Sequence, residues 1–138
     1  MAVTTFPDTL ELLRVHLEAR LGVPAGDRLP TTWPAGGYLE LERTGGTRDR
    51  LADDAQITLN AWHPSSPATA ERIAGAAVSE VIGLSGRTLE GWQVLGTGNT
   101  GGVAADPDPR FPDMHRAAAT IRLRVRGVTN EERSAPWA

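Results

Sequence analysis

Ala117-Ala118-Ala119-Thr120-Ile121-Arg122-Leu123-Arg124-Val125-Arg126 decides the fold class. Apolar and polar residues alternate through it, with Ala119, Ile121, Leu123 and Val125 on one side and Thr120, Arg122, Arg124 and Arg126 on the other. A period of two is the pattern of a strand with one face buried and one in water. Working back along the chain, Ala55 to Trp62 repeats it, with Ile57 and Leu59 inward and Gln56, Thr58 and Asn60 outward. Gly37 to Arg43 does so again, setting Leu39 and Leu41 against Tyr38, Glu40 and Glu42. Between these two runs, Gly45 to Asp54 is polar and charged and reads as the turn of an antiparallel hairpin. A further strand is expected over Gly91 to Leu95.

Two segments carry a helical period instead. Asp8 is placed to cap a helix with Glu11 three positions on, and Leu10, Leu13, Leu17 and Leu21 then form one apolar face. Gly22 ends it, since glycine takes the left-handed terminal conformation cheaply. The second helix opens on Ser65-Ser66-Pro67 and stops at Ser85-Gly86, with Ala70, Ile73, Ala74, Ala77, Val78 and Val81 on one face. Its many alanines predict close packing on something flat, most simply the sheet. The order α-β-β-α-β-β predicts an α+β domain: a small, mostly antiparallel sheet of about four strands with two helices on one face. Residues 1–138 form a single domain on this reading, with 128–138 a flexible C-terminal tail.

Composition narrows the chemistry. The chain has 138 residues, 15 glycines, 10 prolines and a net charge of −3, which is the size of one domain with well-punctuated loops. It has no cysteine, which excludes disulfides, thiol nucleophiles and thiolate metal sites. All 14 basic residues are arginine, so neither a lysine Schiff base nor a phosphate-loop lysine can be present. The N-terminus does not read as a signal peptide, and no apolar run is long enough to span a membrane. Weak acidity argues against a dedicated DNA binder.

Candidate motifs mostly dissolve on inspection. Gly96-Thr97-Gly98-Asn99-Thr100-Gly101 satisfies G-x-G-x-x-G, but it runs into Gly102 and Asp106-Pro107-Asp108-Pro109 rather than a helix that could hold a pyrophosphate. It reads as a flexible loop. His16, His63, His115, Asp106, Asp108 and Asp113 lack metal-ligand spacing. The serines sit at helix ends, where capping explains them, and no nucleophile elbow occurs. No catalytic residue, cofactor or metal is expected. The arginine stripe is the most informative feature: an exposed sheet face paired across strands with Glu40 and Glu42, or a contact with a neighbouring subunit's carboxylates. Glu40, Glu42, Arg43, Arg48, Arg50, Arg122, Arg124 and Arg126, with the 44–54 turn, are the candidate interface. Trp33, between prolines, and Trp137 join them because tryptophan is enriched at interfaces, whereas Trp62 reads as core.

Several features fall in a recognisable order. Phe6-Pro7-Asp8 leads into the Leu-rich helix ending Leu21-Gly22-Val23, and a later strand closes on Arg43-Thr44-Gly45-Gly46. Asp53 precedes a strand ending Ala61-Trp62, and Pro107-Asp108-Pro109-Arg110-Phe111 leads to one ending Val125-Arg126-Gly127. Over nearly its whole length the chain resembles the tail terminator, or tail completion, proteins of siphophages of high-GC hosts. It departs from them after Phe111, where Pro112-Asp113-Met114-His115 follow.

The resemblance implies a structural virion protein, assembled in the host cytoplasm, that caps the head-proximal end of the tail tube as a homo-oligomeric ring. A hexamer is the implied ring, with tail tube protein and a head-completion or neck protein as partners. Genomic DNA would pass through without sequence-specific binding, and no membrane is involved. It also implies a small antiparallel sheet with helices on one side. Two other readings use the same residues: a head-completion or neck connector, and a small-ligand regulatory module, which requires a pocket with convergent polar groups.

Overall fold

The order of secondary structure in a computed structural model, which describes residues 3–129, is β1 (Thr4–Thr5), α1 (Thr9–Leu21), β2 (Ala25–Gly26), β3 (Tyr38–Arg48), β4 (Ala52–His63), α2 (Pro67–Ile82), β5 (Thr88–Leu89), β6 (Trp92–Asn99), β7 (Ala104–Ala105), β8 (His115–Arg126) and β9 (Val128–Thr129). The long elements, α1-β3-β4-α2-β6-β8, keep the predicted order. The sheet is larger than the four expected strands. It is a curled, mixed half-barrel of seven strands, in the order β2-β3-β4-β8-β6-β5 with β7 also on β8. Only β2 and β3 run parallel within it. A separate pair joins β1 to β9, Thr4 opposite Thr129 and Thr5 opposite Val128. The rest of the expected tail, including Trp137, lies outside the described residues.

Both helices form where capping and periodicity predict. Asp8 accepts the Glu11 N–H at 3.2 Å, and Gly22 closes α1 at φ +67° with its N–H on the Glu18 carbonyl. Ser66 Oγ accepts the Thr69 N–H at 3.0 Å and opens α2. That helix ends one turn earlier than expected, capped by Gly83, and Gly86 turns the chain afterwards. The six predicted residues of α2 are all buried, as are Leu13 and Leu17 of α1. They cover one face of the sheet and meet Leu39, Leu41, Ile57, Leu59, Ile121, Leu123 and Val125, all inaccessible to solvent. Each such side chain contributes roughly 1.5–3 kcal/mol through burial.

Two expected loops are strand. The stretch from Gly45 to Asp54 is not a long turn: β3 runs to Arg48 and β4 starts at Ala52, leaving 49–51 to reverse the chain. The polarity that suggested a turn belongs to a hairpin arm whose outer strand, β3 from Glu42 on, is exposed while β4 stays paired with β8. A bulge after Arg43 lets the arm twist, and Gly46 sits at φ +108°, where a Cβ would strike the Asp54 carbonyl. Likewise Gly96 to Asn99 are not loop but part of β6, opposite Arg124 to Ile121 of β8. Glycine was read there as punctuation, yet hydrogen bonding to a long neighbouring strand holds it extended.

Candidate assembly surface

The alternation that buries one face of the sheet leaves the other without a helix. Across its middle runs a ladder of hydroxyls. Thr44 and Thr58 lie 3.3 Å apart, Thr58 and Thr120 another 3.3 Å, and Gln56 Nε2 donates to Thr44 at 3.4 Å. The side chains are short and polar, so this part of the face is flat and wettable.

One end is aromatic. Trp62 points away from the helices but is fully buried, because Trp33 (centroids 5.0 Å apart) and Phe111 (5.6 Å) cover it. Trp33 also meets Phe111 and Tyr38 edge-on, at 5.5 and 6.4 Å. Such pairs add about 0.5–1.5 kcal/mol each beyond the area they bury. The guanidinium of Arg116 lies 5.1 Å over the Trp62 ring and reaches Asp106 at 3.0 Å and Asp108 at 3.3 Å. Asp108 also accepts the Arg110 side chain at 2.6 Å and its backbone N–H at 2.9 Å. Those hydrogen bonds from Arg110, against the opposing effect of burial, lower the Asp108 carboxyl to about 2. The cluster ties the 106–111 segment to the sheet. It packs one side of Trp33 against Trp62, Phe111 and Tyr38 and leaves the residue half-buried.

The other end is basic. Arg122 and Arg124 approach Asp54 at 3.5 and 3.8 Å, and Arg124 reaches Asp49 at 3.7 Å. Arg122 stands opposite Gln56 and Arg124 opposite Asp54. Glu40 and Glu42 stand opposite Asn60 and Thr58 on β3, with β4 between them and β8. The expected pairing of arginine stripe with glutamates therefore does not occur within the subunit. Glu40 accepts from Asn60 Nδ2 at 3.2 Å instead, and Glu42 is exposed. Beside the arginines, Asp54, Gly96, Thr97 and Gly98 complete a shallow groove of about 220 Å³.

The arginines of the hairpin arm divide. Arg43, opposite Ile57 on the helix side, holds Asp53 in a two-pronged pair of 2.8 and 2.7 Å, with Arg48 at 3.4 Å and Thr9 Oγ1 donating at 2.7 Å. Burial pushes the Asp53 carboxyl up, but hydrogen bonds from Arg43, Thr9 and Arg48 outweigh it and hold the group well below the usual carboxylate range. Arg48 also lies 4.6 Å over the Phe6 ring. Arg43 and Arg48 thus fasten α1 and the N-terminus to the arm, whereas Arg50 is exposed near its tip. Arg126 is exposed at the end of β8, opposite Ala52.

The sequence names Asp53 as a motif residue and Asp108 as a rejected metal ligand, but the ion pairs each makes escaped the reading, although one signal was present. Asp53 is in phase with Ala55, Ile57 and Leu59, so extending the alternation backwards places it inward. The three histidines do not meet at one centre: His16 faces Glu80 at 3.3 Å, and His63 Nδ1 accepts the N–H groups of Ser65 and Ser66. Among the described residues no group of three or more acidic or histidine side chains is placed to hold a metal.

No family model matches the chain, and no curated protein sequence does. Solved structures give a different answer. A chain from the structure titled "Virion of native gene transfer agent (GTA) particle" superimposes with a TM-score of 0.57, covering 80% of this chain and 84% of that one at 21% sequence identity. The chain has the fold of a virion component. The match extends across most of both chains.

Proposed function

We propose that the protein is a structural subunit of a phage-like virion, forming a ring, most simply a hexamer, that terminates the tail tube and joins the tail to the head. The observation that carries this reading is the fold held in common with a chain of the gene transfer agent virion over most of both lengths. The resemblance of the motifs from Phe6 to Gly127 to tail terminators supplies the finer assignment. The helix-free face supports it, since glutamates and arginines lie on separate strands and offer complementary patches. A closed ring is built from such heterologous contacts, one patch meeting the other on the next copy. A lumen of neutral or negative charge would let the genome pass without sticking.

The same fold likeness serves a head-completion or neck connector, so the experiment has two parts. Mass photometry over a concentration series should find a species of six 14.7-kDa protomers, about 88 kDa, ring-shaped in negative stain. Binding to purified tail tube protein assigns the terminator role, whereas binding to the portal side alone assigns the connector. A strict dimer at every concentration would overturn the ring and favour the ligand-binding module.

A further inference from the structure

We propose that copies of the protein join edge to edge, the open edge of β3 on one copy pairing antiparallel with the open edge of β6 on the next. The inference rests on the ring reading and names the contact that builds it.

Both edges are bare for most of their length. The short β2 covers β3 only at Leu39 and Glu40, so among the described residues Leu41 to Arg48 have no strand beside them on that side. Glu42 to Arg48 are all exposed. At the far side of the sheet, β5 covers β6 only at Trp92 and Gln93. Val94 is then satisfied by Gly86 and Arg87, which leaves the outer edge from Leu95 to Asn99 open among the described residues. Unpaired strand edges of this kind are templates for another chain. Neither carries a proline, and the charges on β3 with the bulges after Arg43 and Val94 restrict the partner to one of complementary charge and register.

Direction and face both agree. Each of the pairs β3-β4, β4-β8 and β8-β6 is antiparallel, so β3 and β6 run opposite ways. A copy rotated about an axis along the strands therefore sets its β3 antiparallel to its neighbour's β6 and keeps the helix-free faces on the same side. That brings Glu40 and Glu42 of one copy toward Arg122 and Arg124 of the next. Within the sheet Glu42 lies level with Thr120, two residues from Arg122 and four from Arg124. The strands must therefore slip by about that much at the joint, and a shear of this kind is what closure of a curled sheet requires.

Gly96 and Gly98 fit the same joint. They stand opposite Arg124 and Arg122, neither adopts the left-handed backbone, and a Cβ on either would meet nothing closer than 3.8 Å. Nothing within the subunit calls for glycine at these two positions. Bare backbone there lets the two guanidiniums cross β6 and reach carboxylates on an incoming strand, and glycine in a strand marks such close approaches.

The absence of cysteine permits a direct test. Glu42 and Gly98 are separated by two intervening strands, about 14 Å at the usual spacing, too far for a disulfide within one copy. Oxidised E42C/G98C, with T44C/G98C and E42C/G96C covering the register, should give a ladder of cross-linked species ending at the closed ring. The single variants should give no ladder. In the uncross-linked protein, E42R or R124E should weaken the ring, and the E42R/R124E pair should restore it. A ring that forms without cross-links from any of the three pairs overturns the edge joint and leaves the terminator reading standing. Failure to assemble at any concentration, or on tail tube, overturns both. Duplex DNA retained by the wild type and lost in R122E/R124E, with ring mass unchanged, would instead make the groove a phosphate contact and overturn the joint.

Discussion

Asp53 and Asp54 are neighbours in sequence and opposites in use. Strand alternation sends Asp53 to the helix side, where it is inaccessible to solvent and held by Arg43 at 2.7 Å. Asp54 goes to the helix-free side, where its side chain is 22% exposed and meets Arg122 and Arg124 at 3.5 and 3.8 Å. The first pair fastens elements of one subunit together. The second is long and wet, and leaves the arginines' hydrogen-bond donors available to another molecule. The same two residue types thus serve folding on one face and contact on the other, and burial decides which.

The sharpest way to break this comparison is to neutralise the buried member. Asp53→Asn leaves Arg43 without its counter-ion, and breaking a buried pair costs about 3–5 kcal/mol. Arg43 is one third exposed, at 32%, so the lower end applies: about 3 kcal/mol, or a Tm lower by roughly 10 °C. Urea unfolding measures it, and a loss below about 1 kcal/mol would show that the buried pair does not hold the arm. The pH dependence follows in sign. The Asp53 carboxyl titrates lower when folded than unfolded, so the unfolded chain binds the extra proton as pH falls below about 4, and stability declines there. Asp108, lowered to about 2, adds to the same decline between about pH 4 and 2. Asp53→Asn should flatten the curve in that window.

How much of this was legible in the sequence follows from what each residue answers to. The helices and the three longest alternating runs were readable because local period and caps agreed with the tertiary structure. The short strands β1, β2, β5, β7 and β9 have two residues each, too few to carry any period. Of these, β2, β5 and β7 exist because a longer neighbour offers hydrogen bonds, whereas β1 and β9 pair only with each other. The hairpin arm and the Gly96–Asn99 strand were misread for a related reason, since composition suggested turns where pairing with β4 and β8 imposed extension. At the candidate surface, the residue types of the two charged stripes were visible, but not their separation by an intervening strand. Register is a property of the sheet, not of either strand. Trp33 shows the same limit: its position between prolines gave no hint of its ring contacts with Trp62 and Phe111.

Two glycines extend the comparison at smaller magnitude. Gly46→Ala places a Cβ against the Asp54 carbonyl at a backbone angle of +108°, and should cost about 2 kcal/mol. Gly96→Ala has room and an ordinary backbone angle. By restricting the unfolded chain it should leave the subunit unchanged or stabilise it by up to about 1 kcal/mol. Thermal unfolding of both variants separates a glycine that folding requires from one that it does not. Equal destabilisation would remove the argument that Gly96 is kept for contact.

Asp54→Asn should have the smallest effect on the subunit and the more telling one on assembly. Exposed pairs at these distances are worth about 0–1 kcal/mol, so unfolding should shift by no more than about 1 kcal/mol. Removing the carboxylate frees Arg122 and Arg124 from their internal partner and strengthens the positive field at that end. If the arginines serve a neighbouring copy's glutamates, the ring should form at lower protein concentration than in the wild type. The gain should fade as salt rises, because exposed charges are screened over about 10 Å at 0.1 M. If they serve only to pair with Asp54, the variant should assemble no better than wild type at any salt concentration, and the distinction between a folding face and a contact face would lose its electrostatic support. The measurement is a dissociation midpoint by mass photometry at two ionic strengths. Because stability hardly moves, any change can be assigned to the contact itself.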